Sequence, residues 1–205
     1  MEVKNMKKIV FGFVMIVFLF GSVTPGLLAQ EKSVDEQQKK MMEKWMQFAT
    51  PGEPHRFLDK RVGEWDVVTR MWREPGAPPD ESTGSAVGKM MLGGRYLKLK
   101  HRGTVNGMPF EGISIGGYDN HLKEFFSIWI DNVGTGIMIS RGSLEPTAKT
   151  LTEVAEVDDF MTGQKMKTRT VTTLVNPDKF FMEMYMIGPD GKEFKSLEVT
   201  YTRKK

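Results

Sequence analysis

From residue 63 to the C-terminus, apolar or aromatic side chains recur at every second position in short runs separated by turn residues. Between residues 93 and 144 the interruptions are Asn106-Gly107, Asp119-Asn120 and the segment 132–136, which all favour turns. Alternation of this kind is typical of β-strands with one buried face. The pattern predicts a mainly β fold, an antiparallel up-and-down β-barrel of about ten strands with one or two short N-terminal helices. A two-sheet sandwich is the alternative.

Residues before the first strand show helical spacing instead. Between Val34 and Ala49 apolar side chains recur at intervals of three, four and seven, with Ser33 as the predicted N-cap and Thr50-Pro51-Gly52 as the predicted end. A second, shorter helix is predicted over Pro54–Arg61. The apolar face of the first helix is expected to pack on the barrel as a lid, or else to bind a partner or a membrane surface. Its members are Val34, Met41, Met42, Trp45 and Phe48.

The first 29 residues have the features of a secretory signal peptide. A lysine-containing start precedes the twelve-residue apolar run Ile9–Phe20, and Ala29 offers a small side chain for cleavage before Gln30. The apolar run is too short to span a hydrocarbon core of about 30 Å, so no membrane span is expected after cleavage. An uncleaved anchor is the alternative. The predicted organisation is a signal peptide over 1–29, an N-terminal helical segment over 30–62 and a β-barrel domain over 63–205, in a periplasmic or secreted protein.

Composition excludes several kinds of chemistry. The sequence contains no cysteine, which excludes disulfides, thiol catalysis and thiolate metal sites. Residues 1–29 contribute a net charge of +2, so their removal lowers the formal charge from +3 to +1. The remaining Lys and Arg are interleaved with Asp and Glu rather than gathered in one stripe. We therefore predict no nucleic-acid partner.

The first predicted strand opens with the motif Gly63-Glu64-Trp65, and the last one ends with Tyr201-Thr202-Arg203. A G-x-W motif at this position resembles the calycin (lipocalin-like) superfamily, in which the Trp plugs the barrel floor and a basic residue covers its ring. The resemblance implies these structural roles for Trp65 and Arg203. A guanidinium over an indole face contributes about 0.5–2 kcal/mol, which gives the pairing a physical basis.

A second resemblance is carried by GGRYLK, MPFEG, GYDNHLKEF, WIDNVGTGIM, MTGQK and GPDGKEFKSLEVTYTRK. Together these segments resemble an uncharacterised family of bacterial secreted proteins, domain of unknown function family 1579, from about Lys39 to the C-terminus. The family has no established activity, so the resemblance implies the barrel and no particular chemistry. Members of the wider superfamily typically hold small hydrophobic molecules in the barrel, and some bind haem.

The residue inventory of the strands predicts an interior that side chains do not fill. Gly112, Ser114 and Gly116 share one strand face, Ser140 and Gly142 share the next, and a ten-strand barrel is wide. We therefore predict a small hydrophobic molecule as partner. Met182, Met184 and Met186 also share a strand face, which suits Cu(I), although core or pocket lining is the favoured interpretation. The predicted ligand-binding residues are Phe125, Trp129, Met138, Met182 and Met184, with Arg95, Arg141, Tyr118 and His101 as polar contacts.

Catalytic features are sparse. The serines lie in predicted strands or loops rather than at a strand-to-helix elbow, and His55, His101 and His121 lack the spacing of common metal motifs. We predict no catalytic set, no metal site and no cofactor, and the sequence does not fix the oligomeric state. Two alternatives stay open: an enzyme acting on a small apolar substrate with His101 as base, or an envelope interaction or stabilising protein that engages a partner through its first helix.

Overall fold

The computed structural model describes residues 25–105, 107–158, 163–188 and 191–205, with side chains from residue 34 onward. Most of the predicted signal peptide, residues 1–24, lies outside this part of the chain. The helices are α1 (Pro25–Ala49) and α2 (Glu53–Asp59). The strands are β1 (Gly63–Met71), β2 (Asp80–Met91), β3 (Tyr96–Val105), β4 (Met108–Asp119), β5 (Glu124–Asp131), β6 (Met138–Leu144), β7 (Thr150–Asp158), β8 (Lys165–Asn176), β9 (Lys179–Ile187) and β10 (Glu193–Arg203).

All ten strands form one closed antiparallel barrel in which each strand pairs with its neighbours in sequence. The barrel closes between β1 and β10, where Trp65 lies opposite Arg203 and Val67 opposite Tyr201. This confirms the predicted up-and-down barrel and rules out the two-sheet sandwich, since a sandwich has open edges that a closed ladder lacks.

Helix α1 begins earlier than the sequence predicted. It starts at Pro25, so Ser33 lies inside the helix and is not its N-cap. Residues 27–32 are Leu, Leu, Ala, Gln, Glu and Lys, which all favour helix, and proline is tolerated in a first turn. The side chains of the predicted apolar face have large exposed fractions. Met41, Met42, Trp45 and Phe48 have exposed fractions of 70, 59, 58 and 57%.

Residues 46–205 form one compact unit that includes the last residues of α1. Two side chains from loops at one barrel end hold those residues. Asn120 Nδ2 donates to the carbonyls of Gln47 and Phe48 at 3.2 and 3.0 Å, and Arg95 Nη2 donates to that of Ala49 at 2.6 Å. They satisfy carbonyls that a helix end leaves without an intrahelical partner.

One end of the barrel interior is closed by α2 and its connection to β1. Phe57 and Leu58 of α2 are 2% and 1% exposed and pack in one cluster with inward side chains of the strands. The connection between α2 and β1 passes so close to β2 that a Cβ on Gly88 would overlap the carbonyl oxygen of Arg61. The strand residues of this cluster are Leu97, Leu99, Phe125 and Leu151.

Candidate functional site: the barrel interior

The floor of the barrel is built around Trp65, which is 1% exposed. The guanidinium carbon of Arg203 lies 4.2 Å from the centroid of its ring, and Phe180 meets the ring edge to face with centroids 4.8 Å apart. Trp65 Nε1 donates to the Arg61 carbonyl at 3.1 Å, and Arg203 Nη1 donates to that of Val62 at 2.9 Å. Trp65 and Arg203 thus join the first strand, the last strand and the α2–β1 connection.

Towards the other end, methionine and aromatic side chains face inward without being fully buried. The pairing of β5 with β6 places Trp129 opposite Met138, and that of β9 with β10 places Met184 opposite Leu197. Met182, opposite Val199, lies closer to the floor and packs against the cluster that contains Trp65 and Phe180. Trp129, Met138, Met182 and Met184 are all half-buried. Because a closed sheet shields inward side chains from the outside, their exposed part lies on the inside of the barrel. The barrel end opposite the floor is called the mouth below.

Trp129 is held in a fixed orientation at this level. Its Nε1 donates to Asp131 Oδ2 at 2.7 Å, while Asp131 Oδ1 accepts from the backbone N–H of Val133 and Gly134 at 2.9 and 3.3 Å. Gly112, on the neighbouring strand β4, lies against the ring, and a Cβ at Gly112 would clash with the ring. The Asp131 turn and the small residue together position an indole face inside the barrel.

Several residues proposed from the sequence as pocket lining lie elsewhere. Phe125 is 2% exposed and belongs to the floor, where Phe57 and Tyr118 pack against it at centroid distances of 5.8 and 4.8 Å. Arg141 faces outward, because its neighbours Ser140 and Gly142 face inward, and it forms an ion pair with Glu124 on the outer surface. Tyr118 packs at the floor beside Phe125.

Arg95 also differs from its expected role as a pocket contact. It lies in the turn between β2 and β3, where it donates to the carbonyls of Leu92 and Ala49 at 3.0 and 2.6 Å. Its guanidinium therefore caps a carbonyl at the end of α1. Neither Arg95 nor Arg141 supplies a polar anchor inside the barrel, which corrects both placements.

Inside the barrel lies a belt of buried polar side chains, of which His101 alone was predicted from the sequence as a polar contact. Glu153 is 4% exposed and accepts a hydrogen bond from the Ser127 hydroxyl at 2.7 Å; its burial raises the pKa of its carboxyl. The alternation of β7 held a signal for it, because Glu153 shares the inward face with Leu151 and Ala155. The buried polar residues of the strands are His101, Ser140, Glu153, Thr168, Thr170 and Thr172.

Arg61, in the α2–β1 connection, adds a cation to this belt. It is 7% exposed, and its guanidinium carbon lies 5.2 Å from the Phe57 ring centroid. Burial lowers the pKa of the guanidinium, while Glu153 and Tyr201 act on it in the opposite sense. The side chain therefore reaches the inside of the barrel. No local pattern distinguishes it in the sequence from surface arginines near a helix end.

His101 lies in the same belt, 8% exposed, with Nε2 3.0 Å from the Tyr201 hydroxyl oxygen. Burial lowers its pKa to about 4, and burial also raises the pKa of Tyr201. Its Nδ1 has no hydrogen-bond partner among the residues that the structure describes. The His101 ring is thus neutral near pH 7 and carries no orienting carboxylate within that part of the chain.

Ser114 lies in the segment Gly112-Ile113-Ser114-Ile115-Gly116, whose spacing matches a G-x-S-x-G motif. The segment is the middle of β4, paired on both sides, and not the sharp strand-to-helix turn that exposes a nucleophile. Within the described ranges, no three His, Asp or Glu residues cluster so as to hold a metal ion. None of the described helices has the length and apolar character needed to cross a bilayer.

Comparison with known proteins agrees with this architecture. The chain belongs to the family described as Protein of unknown function (DUF1579), whose sequence profile matches residues 50–203. No curated protein matches the sequence.

The solved structures that share the fold include the following two. Rv2717c from M. tuberculosis is 12% identical with a TM-score of 0.55, and the match covers 76% of this chain and 100% of that one. The S-type phycobiliprotein lyase CPES from Guillardia theta is 10% identical with a TM-score of 0.51, covering 78% and 96% of the two chains. At these identities the likeness concerns the fold.

Proposed function

We propose that this protein binds a small, largely apolar molecule inside its barrel. One observation carries the proposal: Trp129, Met138, Met182 and Met184 face the inside of a closed barrel and yet are only half-buried. Apolar side chains in that position lose hydrophobic and dispersion energy unless something covers them. Methionine adapts its shape to an occupant, and Trp129 offers a flat apolar face. The floor at Trp65 and α2 closes the other end, so the occupant enters through the mouth.

A neutral, environment-sensitive dye such as Nile red tests the proposal. Fluorescence titration of the folded protein should give saturable binding with a dissociation constant on the order of micromolar, typical of a modest apolar site. Met138→Glu or Met184→Glu should weaken binding about tenfold or more, because a carboxylate in the interior would have to lose its hydration.

Ile139→Glu is the matched control for this experiment. Ile139 neighbours Met138 on β6, faces outward and is 49% exposed, so its replacement should leave dye binding unchanged. Absence of saturable binding to the folded wild type would contradict the proposal. So would equal weakening by the inward and outward substitutions.

A second candidate function, an envelope protein that engages a partner, is favoured by one observation. The apolar face of α1 is exposed, with Met41 at 70% and Trp45 at 58%. Such a face could also take up dye. The double variant Met41→Gln, Trp45→Gln therefore belongs in the titration. Loss of binding there, together with wild-type binding in Met184→Glu, would favour the second candidate over the first.

We also propose that the protein is exported and cleaved after Ala29. The support is the charged start, the apolar run Ile9–Phe20 and the small side chain at the cleavage position. Amino-terminal sequencing of protein isolated from the cell envelope or the medium should begin at Gln30. Recovery of the chain with its first residues intact would overturn this proposal.

A further inference from the structure

The interior contains a charged group without a matching acceptor. The Arg61 side chain is buried, with an exposed fraction of 7%, and its Nε has no hydrogen-bond partner among the described residues. A guanidinium stays protonated in proteins and carries five N–H donors in one plane. Buried charges are normally paired with an opposite charge, because burial without a partner is costly. Arg61 therefore requires an acceptor.

Glu153 attracts the charge of Arg61, but it does not supply the acceptor that the Arg61 Nε lacks. Its carboxylate accepts from the Ser127 hydroxyl at 2.7 Å. The attraction of Arg61 lowers the pKa of Glu153, yet burial outweighs it and the net shift is upward. The charge of Arg61 is thus only partly compensated within the described structure.

The inner face of β8 offers hydroxyl groups that an acidic ligand could also use. The inward Thr168, Thr170 and Thr172 side chains of β8 are 4, 8 and 4% exposed, and the Thr168 hydroxyl has no partner within the described residues. Hydroxyls donate to carboxylate oxygens, and a guanidinium matches a carboxylate with two parallel hydrogen bonds. The strand register places Met182 and Met184 beside Thr172 and Thr170, so apolar and hydroxyl side chains adjoin on the inner face of β8 and β9.

We propose that Arg61 is the anion-binding residue of the interior site and that the ligand is an amphipathic carboxylic acid, with its carboxylate at Arg61 and its apolar chain along Trp129 and Met184. This inference rests on the proposed function and specifies the class of ligand. A single negative charge fits better than the double charge of a phosphate monoester, because the Glu153 carboxyl lies in the same belt. The acid head balances Arg61, and the chain covers the half-buried methionines.

The test compares two ligands that differ only in the head group. Dodecanoic acid and dodecanol are titrated, below their critical micelle concentrations, against Nile red bound to the full chain. The pH is kept above the pKa of the free acid. Wild-type protein should bind the acid about tenfold or more tightly than the alcohol, the range expected for hydrogen bonds to a charged group.

Arg61→Met removes the charge and keeps most of the side-chain volume. This variant should lose the preference for the acid over the alcohol, because the charged donor is gone. Arg141→Met is the matched control, because Arg141 lies on the outer surface at 55% side-chain exposure. It should keep the wild-type preference.

The outcomes separate this inference from the proposed function. If dye binds and the acid and the alcohol compete equally in wild type, the acid-head inference is wrong and the apolar site stands. A preference that survives in Arg61→Met also overturns the role of Arg61. If neither dye nor ligand binds, both proposals fail. Circular dichroism shows whether Arg61→Met folds. If it does not fold, the comparison of acid with alcohol in wild type and the variant Arg61→Lys still test the inference. Arg61→Lys is expected to bind the acid more weakly than wild type does.

Discussion

Replacing Trp65 with alanine should lower the free energy of unfolding by about 3–5 kcal/mol, the range for deleting a buried large aromatic. The ring is 1% exposed, packs edge to face on Phe180 and holds Arg203 over its face. Its removal leaves a cavity at the floor and an indole-sized gap beneath the guanidinium. It also frees the Arg61 carbonyl that accepts from Nε1. Equilibrium unfolding in urea, followed by circular dichroism, measures the loss.

Two further variants locate the effect at the floor. Arg203→Ala should cost less, since it removes a cation–π contact of about 0.5–2 kcal/mol and hydrogen bonds at a partly exposed side chain. Trp45→Ala should change stability by no more than about 0.5 kcal/mol, because that indole is 58% exposed. A Trp65→Ala protein that unfolds at the wild-type urea concentration would contradict the structural role of Trp65.

His101 should make the protein less stable as the pH falls from 6.5 to about 4. Burial lowers the pKa of His101 from 6.5 to about 4 in the folded state. In that interval the unfolded chain binds the proton and the folded chain does not, so protonation favours unfolding. The contribution is constant above pH 6.5 and is lost by about pH 4. It amounts to about 3 kcal/mol at about 1.4 kcal/mol per pKa unit.

The measurement is the free energy of unfolding against pH for wild type and His101→Gln, which keeps a side-chain acceptor near the Tyr201 hydroxyl. The raised pKa of Glu153 acts in the opposite direction, because the folded state takes up a proton there as the pH falls. The free energy of unfolding of wild type minus that of His101→Gln isolates His101, and this difference should fall steadily between pH 6.5 and about 4. His121→Gln, at an exposed turn, should follow wild type. Parallel curves for wild type and His101→Gln would contradict the burial of that imidazole.

The sequence predicted the barrel well because strand alternation and turn chemistry are local signals. The pattern predicted about ten strands from residue 63 onward, and the structure has ten, from Gly63 to Arg203. The alternation that places Ser140 and Gly142 inside also places Arg141 outside. The alternation of inward and outward side chains along β6 is therefore visible in the sequence, and it argues against Arg141 as an interior anchor.

The polar interior could not be predicted in the same way. Arg61 lies in a short connection without periodicity, and its burial results from α2 entering the barrel, which is a tertiary event. Arg95 shows the converse, because its contact with Ala49 joins residues that are 46 positions apart. Helix α1 extends to Pro25 because six helix-favouring residues outweigh the capping preference of Ser33.

Methyl NMR of methionine-labelled protein can locate a bound apolar molecule directly. The chain has 16 methionines, which include Met138, Met182 and Met184 inside the barrel and Met41 and Met42 on the exposed face of α1. During titration with dodecanol, the interior methyl signals should shift and saturate together, and the α1 signals should stay in place. Shifts confined to Met41 and Met42, with unchanged interior signals, would contradict ligand binding inside the barrel.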